Sequence, residues 1–170
     1  MDNYLNRYIK KCFLFLIYLS EKTILIMIQI RKGEKEDLPY VLKLIKELAE
    51  YENAIEKVAI TLEELEADGF SEKPYYYFLV AEKRNKIIGM SFYFIRYSTW
   101  KGKVLFLEDF IVAKEYRRMG VGKKLFDATI KICKNLNAKA MCWQVLDWNK
   151  DAIEFYKKYN AEISSDWLDG

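Results

Sequence analysis

The chain has 170 residues, enough for one ordinary domain with or without a tail. Apolar residues make up 52% and charged residues 31%, a composition that folds around a core, and a net charge of +3 is too small a footprint to argue for nucleic acid. Histidine is absent, which excludes Ser-His and Cys-His nucleophiles and His-ligated metals and leaves acid–base work to Asp, Glu, Tyr, Cys or Lys.

Arg7, Lys10 and Lys11 precede an apolar run from Cys12 to Leu19 that superficially resembles a signal peptide. No small-residue cleavage site follows, and Glu21-Lys22 interrupt the stretch short of the roughly 20 apolar residues that a spanning helix needs. Residues 1–26 therefore read as an extension, with a signal or membrane anchor the less favoured reading, and residues 27–170 as the domain. No stable membrane association is expected. Cys12, Cys133 and Cys142 show no CxxC spacing and an odd count, so the setting reads as reducing and cytoplasmic.

Met27–Arg31 reads as a first strand. Leu38, Val41, Leu42, Ile45, Leu48 and Ala49 recur at helical spacing, predicting a helix over roughly Glu36–Tyr51 with Asp37 as its cap. Thr61-Leu62-Glu63-Glu64 matches a capping box and opens a second, short helix that Gly69 ends. Tyr75–Glu82 and Ile87–Tyr97 are aromatic and β-branched runs joined by Lys83-Arg84-Asn85-Lys86, a predicted hairpin, and Lys103–Val112 is a third such run. Helical periodicity returns over Gly120–Asn135. A strand over Ala138–Leu146, a helix over Lys150–Tyr159 and a last short strand over Ala161–Ser165 complete the order. The predicted fold is a mixed α/β sandwich, with a mostly antiparallel sheet and helices on both faces.

Three segments carry chemistry. In Leu105-Phe106-Leu107-Glu108-Asp109-Phe110-Ile111-Val112, two adjacent carboxylates interrupt a strand apolar on both faces. Strict alternation places Glu108 and Asp109 on opposite faces, and a carboxylate in a partly dry cleft acquires a raised pKa and serves as a general base. Next, Arg117-Arg118-Met119-Gly120-Val121-Gly122-Lys123 is a glycine-rich turn opening a helix, where backbone N–H groups and the dipole favour a phosphate. It is neither a Walker loop nor GxGxxG, because Lys124 and Leu125 stand where those motifs need other residues. Third, a strand running into Asp147 is followed by Asn149, able to cap a helix, and by Tyr156 two turns along it. A phenol can donate a proton to a thiolate of similar basicity.

Arg117-x-x-Gly120-x-Gly122 and Asn149-x-x-Ala152-x-x-Phe155-Tyr156 together resemble the motifs of the GCN5-related N-acetyltransferase (GNAT) family, over residues 27–168. Within it, Leu44–Glu52, Asp68-Gly69-Phe70, Leu107–Phe110 and Trp148-Asn149 resemble the spermidine/spermine (diamine) branch. The resemblance implies the GNAT fold, a homodimer and acetyl transfer from acetyl-CoA to a primary amine of a small diamine- or polyamine-like molecule, by direct attack in a ternary complex and without a metal. It implies that Phe110, Ile111 and Val112 hold the acetyl and pantetheine chain, and that Arg117, Arg118, Met119, Gly120, Val121, Gly122 and Lys123 surround the pyrophosphate, with Asn149 and Tyr156 also on the cofactor side. Glu108 would accept the amine proton through water, Tyr156 would protonate the CoA thiolate, and Asp109 and Trp100, with Glu108, would line the amine channel.

Two departures stand out. Ser98 replaces an acid that the polyamine enzymes carry two residues before the tryptophan, and the sequence to Gly170 lacks the family's final strand. Alternatives are a thialysine or other amino-acid or protein-lysine acetyltransferase, and a non-catalytic acyl-CoA sensor.

Overall fold

The computed structural model describes residues 28–166 together with Arg7 and Lys10, and residues 28–166 hold five strands and four α-helices. The extension read at residues 1–26 otherwise lies outside the described residues, as do residues 167–170. In chain order the elements are β1 (Ile28–Lys32), α1 (Leu38–Tyr51), α2 (Leu62–Gly69), β2 (Tyr77–Lys83), β3 (Lys86–Ser98), β4 (Gly102–Val112), α3 (Val121–Asn135), β5 (Ala140–Trp143) and α4 (Lys150–Lys157). The strands lie side by side in that order. The first three pairings are antiparallel, and β4 with β5 is parallel, α3 forming the crossover between them.

The local chemistry explains most boundaries. At the β2–β3 hairpin Arg84 and Asn85 both take left-handed φ, 49° and 61°, as a two-residue turn matched to strand twist requires. Thr61 caps α2 as expected: its Oγ1 accepts from Glu64 N at 3.2 Å, while Glu64 Oε2 accepts from Thr61 N at 2.9 Å. Asp37 plays a different part from the expected one. Residues 35–37 form a 3₁₀ turn, and the Asp37 carboxylate accepts from Glu34 N at 2.8 Å and from Arg31 at 2.6 and 2.8 Å, tying β1 to the head of α1.

Helices cover both faces of the sheet. Leu38, Val41 and Leu44 of α1, with Leu65 of α2, pack on Met90 and Ile111. Leu125 and Phe126 of α3, with Tyr156 of α4, pack on Leu105 and Leu107. A buried hydrogen bond of 2.7 Å between Ser91 and Thr129 joins β3 to α3, satisfying two hydroxyls that burial would otherwise penalise.

Three expectations need correction. Residues 161–166 form no strand: Ile163 is exposed, and this stretch has no cross-strand partner to satisfy its backbone. The strand expected over Ala138–Leu146 is paired only from Ala140 to Trp143. Finally, Glu108 and Asp109 do not sit in an unbroken ladder. Phe92 pairs with Asp109 but Tyr93 pairs with Leu107, so Glu108 is the extra residue of a β-bulge. Leu105 and Leu107 before it, and Phe110 and Val112 after it, all join the same core cluster. A bulge resets the alternation, and the opposite-face argument fails here.

Candidate active site

The bulge and the shortened β5 are one feature. Parallel pairing runs from Val104–Ala140 to Leu107–Trp143 and stops where Glu108 is inserted. Beyond that point β4 and β5 no longer pair with each other, leaving Phe110–Val112 and Val145–Asn149 on either side of an opening in the sheet. A strand edge released from its neighbour in this way gives an extended, amide-bearing chain somewhere to lie.

Acidic groups collect at this opening. Glu108 is exposed, and Asp109, half-buried, is pushed up to about 6, first by burial and then by the charges of Glu108 and Glu52. Glu52, the residue that ends α1, is itself raised by burial. Tyr156 is only 6% exposed; burial raises its phenol above the ordinary value, and the Glu52 charge adds to the effect. Glu52 therefore acts electrostatically on both Asp109 and Tyr156, which puts an element 56 residues upstream of the bulge in the same cluster.

Glu52 and its neighbour Tyr51 received no individual role from the sequence. A signal was available, because a carboxylate at a helix C-terminus meets the negative end of the dipole and is unfavourable without another use. Tyr51 pins the end of α1 over the site. Its hydroxyl donates to Asn149 Oδ1 at 3.3 Å, its ring lies 5.5 Å from Trp148, and the Arg117 guanidinium stacks 5.1 Å above it. Asn149 also caps α4, accepting from Ala152 N at 3.3 Å. The Tyr156 ring is held by Trp143 at 4.7 Å and Phe126 at 5.5 Å.

The raised Asp109 value has a consequence for stability. An unfolded aspartate titrates near 3.8 and the folded one near 6, so the folded state holds its proton more tightly. Stability is therefore lost as pH rises from about 4 to 6 and stays lost above. Asp109→Asn removes that cost and is expected to stabilise the free protein at pH 7.5 by on the order of 1–3 kcal/mol, with little effect at pH 4. Thermal melts at the two pH values check this; an Asp109→Asn protein that melts lower at pH 7.5 would show the carboxylate is structurally required.

The glycine-rich turn lies at the head of α3. Gly120, the N-cap, has φ 77°, and Arg118 is also left-handed at 62°. Arg117 Nε donates to Val112 O at 2.9 Å, Arg118 pairs with Asp151 at 2.8 Å and Lys123 with Asp127 at 2.7 Å. Arg118, Lys123 and both carboxylates are well exposed, so these two pairs are weak and open to competition from a polyanion. Gly122 answers whether the turn is shaped for a ligand. A Cβ there would meet Val112 Cγ2 at 3.8 Å and Phe110 Cε1 at 4.0 Å, ordinary contacts. The chain itself does not need glycine at 122, whereas close approach of a phosphate to the α3 N-terminus does.

Trp100 is not brought to this opening within one chain. It is 83% exposed on the β3–β4 turn, and the ladder from Ser98–Gly102 to Phe92–Asp109 separates it from Asp109 by roughly 20 Å of strand.

Residues 39–161 match the acetyltransferase (GNAT) family. The chain belongs to that family. The GNAT domain is 38% identical over 143 residues to a thialysine N-epsilon-acetyltransferase of Bos taurus, covering 79% of this chain and 84% of that one. It is 35% identical over 146 residues to a spermidine/spermine N(1)-acetyltransferase-like protein 1 of Homo sapiens, covering 81% of this chain but 21% of that larger protein. Among solved structures, an aminoglycoside acetyltransferase from an uncultured soil metagenomic sample, in complex with sisomicin, superposes with a TM-score of 0.73 over 86% of this chain and 97% of that one. At 21% identity this likeness is one of fold. The fold and the family expected from the sequence are thus borne out, and the chain is an acetyltransferase of the GNAT type. No helix among the described residues is long and apolar enough to cross a membrane.

Proposed function

We propose that the domain, taken as residues 27–170, transfers acetyl from acetyl-CoA to a primary amine of a small cationic molecule, by direct attack in a ternary complex. The observation that carries this reading is the grouping of Glu52, Glu108, Asp109 and Tyr156 at the opening between β4 and β5, one edge of which leads to the glycine-rich turn. Three carboxyl groups attract an ammonium group, and the same set can then take its proton. A sensor that only bound acyl-CoA would need neither.

Acetyl-CoA supplies an activated thioester when bound. Backbone of Phe110, Ile111 and Val112 would hold its extended arm, and residues Arg117 to Lys123 its pyrophosphate, with Asn149 shaping the cofactor side. Glu108, exposed on the bulge, is the proton acceptor, through water. Asp109 and Glu52 hold the amine's positive charge. Tyr156, protonated because burial raises it, is the proton donor to the leaving sulfur.

Which amine is accepted rests on residues and relatives together. Ser98 in place of an acid favours a short acceptor, and the relatives named for thialysine point the same way. A side-chain amine such as that of thialysine is our reading, with a diamine or polyamine second, supported by the human relative. The protein is read as cytoplasmic and as a homodimer, in which Trp100 would serve an amine site across the dimer rather than its own. Assaying the full chain with acetyl-CoA against thialysine, lysine, putrescine and spermidine, with products identified by mass, tests the reading. Thialysine should give the highest kcat/KM; a polyamine preferred over it would reverse the order, and no product from any amine would defeat the reading.

Gly122→Asp tests the phosphate assignment. Aspartate in the first turn of α3 improves helix propensity and dipole compensation, so the protein should melt no lower. Acetyl-CoA affinity should nevertheless fall more than tenfold, at least ~1.4 kcal/mol, because a carboxylate stands where phosphate approaches. Gly120→Asp is a poorer probe, since its left-handed φ strains the backbone by itself. Unchanged affinity in a folded Gly122→Asp protein would remove the turn from the cofactor site.

A further inference from the structure

At the opposite end of the sheet from the glycine-rich turn lies a half-open cavity of about 480 Å³, within the range of small-molecule sites. It is formed where β2 begins late, so that the lower part of β3 is left uncovered between the end of β1, the end of α2 and the C-terminal turn of α3. Its walls are aromatic, with Phe70, Tyr76, Tyr77 and Phe78, and aliphatic, with Ile132 and Leu136. None of the residues assigned to the acetyl-transfer site lines it.

Two polar features distinguish it from a packing defect. Tyr93 lines the cavity and is only 5% exposed, yet its hydroxyl makes no hydrogen bond among the described residues. No buried side-chain polar atom there is sealed without a partner, so the Tyr93 oxygen faces open space, and the cavity is the space it lines. Burial pushes that phenol up to about 12, so at neutral pH it is a donor awaiting an acceptor. The second feature is charge. Among the described residues, Lys32 is the single charged one on the lining; it is exposed at the rim and has no ion-pair partner among them. No aspartate or glutamate among the described residues lines the space.

We propose that this cavity is a second binding site, for a small aryl carboxylate that carries another oxygen acceptor on its body. The aromatic body lies against the Tyr77 and Tyr93 rings, themselves stacked at 5.9 Å. The carboxylate takes Lys32 at the mouth, and the inner oxygen accepts from the Tyr93 hydroxyl. The chain's own N-terminal run is a poorer occupant, because Arg7, Lys10 and Lys11 beside it would meet Lys32 with like charge. This inference does not depend on the acetyl-transfer reading.

The test uses the full chain and three probes by titration calorimetry: 4-oxo-4-phenylbutanoate, its amide and 4-phenylbutanoate. The keto acid should bind with a Kd below about 1 mM, and the amide, which lacks the charge, and 4-phenylbutanoate, which lacks the inner acceptor, should each bind at least roughly fivefold more weakly. Lys32→Gln should erase the preference for acid over amide, and Tyr93→Phe the preference for keto acid over 4-phenylbutanoate. Ile132→Trp should fill the space and abolish binding. Acetyl-CoA affinity, measured on the same samples, reports that each variant is folded. Absence of binding to the full chain, binding that survives Ile132→Trp, or preferences unaltered by Lys32→Gln and Tyr93→Phe would each overturn the proposal, the last showing an apolar surface that any aromatic molecule coats.

Discussion

Glu108→Gln is expected to lower kcat by roughly 10²–10⁴ while leaving acetyl-CoA affinity nearly unaltered. The substitution keeps the shape of the side chain and the bulge that presents it, and removes only the basic oxygen. Because Glu108 is the unpaired residue of the bulge and exposed, amide for carboxylate should cost the fold little. Asp109→Asn should behave differently. In the proposed mechanism the half-buried carboxylate holds the acceptor's charge, so its loss should raise the amine KM more than it lowers kcat, and the wild-type KM should rise as pH falls below about 6, where Asp109 takes up its proton. If Glu108→Gln turned over like wild type and Asp109→Asn carried the loss in kcat, the two carboxylates would exchange roles.

Tyr156→Phe deletes one oxygen from a ring packed against Trp143 and Phe126, so the protein should stay folded and the loss should fall on kcat, by roughly 10–10³-fold. Negative charge develops on sulfur as the thioester breaks, and a phenol kept protonated by burial beside Glu52 can answer it. A thioester with a more acidic leaving thiol needs that proton less. It should restore Tyr156→Phe towards wild type and leave Glu108→Gln impaired. A folded Tyr156→Phe protein with unreduced kcat would return the residue to the role of a core aromatic.

Much of this was legible from residue types. The aromatic and β-branched runs marked β2, β3 and β4, and Thr61 with Glu64 marked the start of α2, because propensity and capping are local. The arginine–glycine turn and the Asn149-to-Tyr156 spacing were visible for the same reason. What escaped depends on pairing. The bulge at Glu108 comes from the register of β3 on β4, and nothing in Leu107-Glu108-Asp109-Phe110 says that one residue lacks a partner. The early end of β5 follows from that bulge, so its length was overestimated. Glu52 joined the site only because α1 packs across the sheet and delivers its C-terminus to the opening. Trp100, conversely, is a sequence match that the hairpin carries away from its own carboxylates.

Direct transfer from acetyl-CoA to an amine is tested most directly with acetyl-labelled acetyl-CoA in rapid-quench experiments on the full chain, first without amine and then with thialysine added. With Glu108 as proton acceptor and Tyr156 as donor in one ternary complex, no label should become attached to the protein in the first phase. In the second, label should appear on the thialysine side-chain nitrogen in step with release of free CoA. Label on a protein residue such as Cys142 before amine is added, chased to product afterwards, would contradict direct attack, and tight acetyl-CoA binding with no transfer to amine would contradict the acetyltransferase account itself.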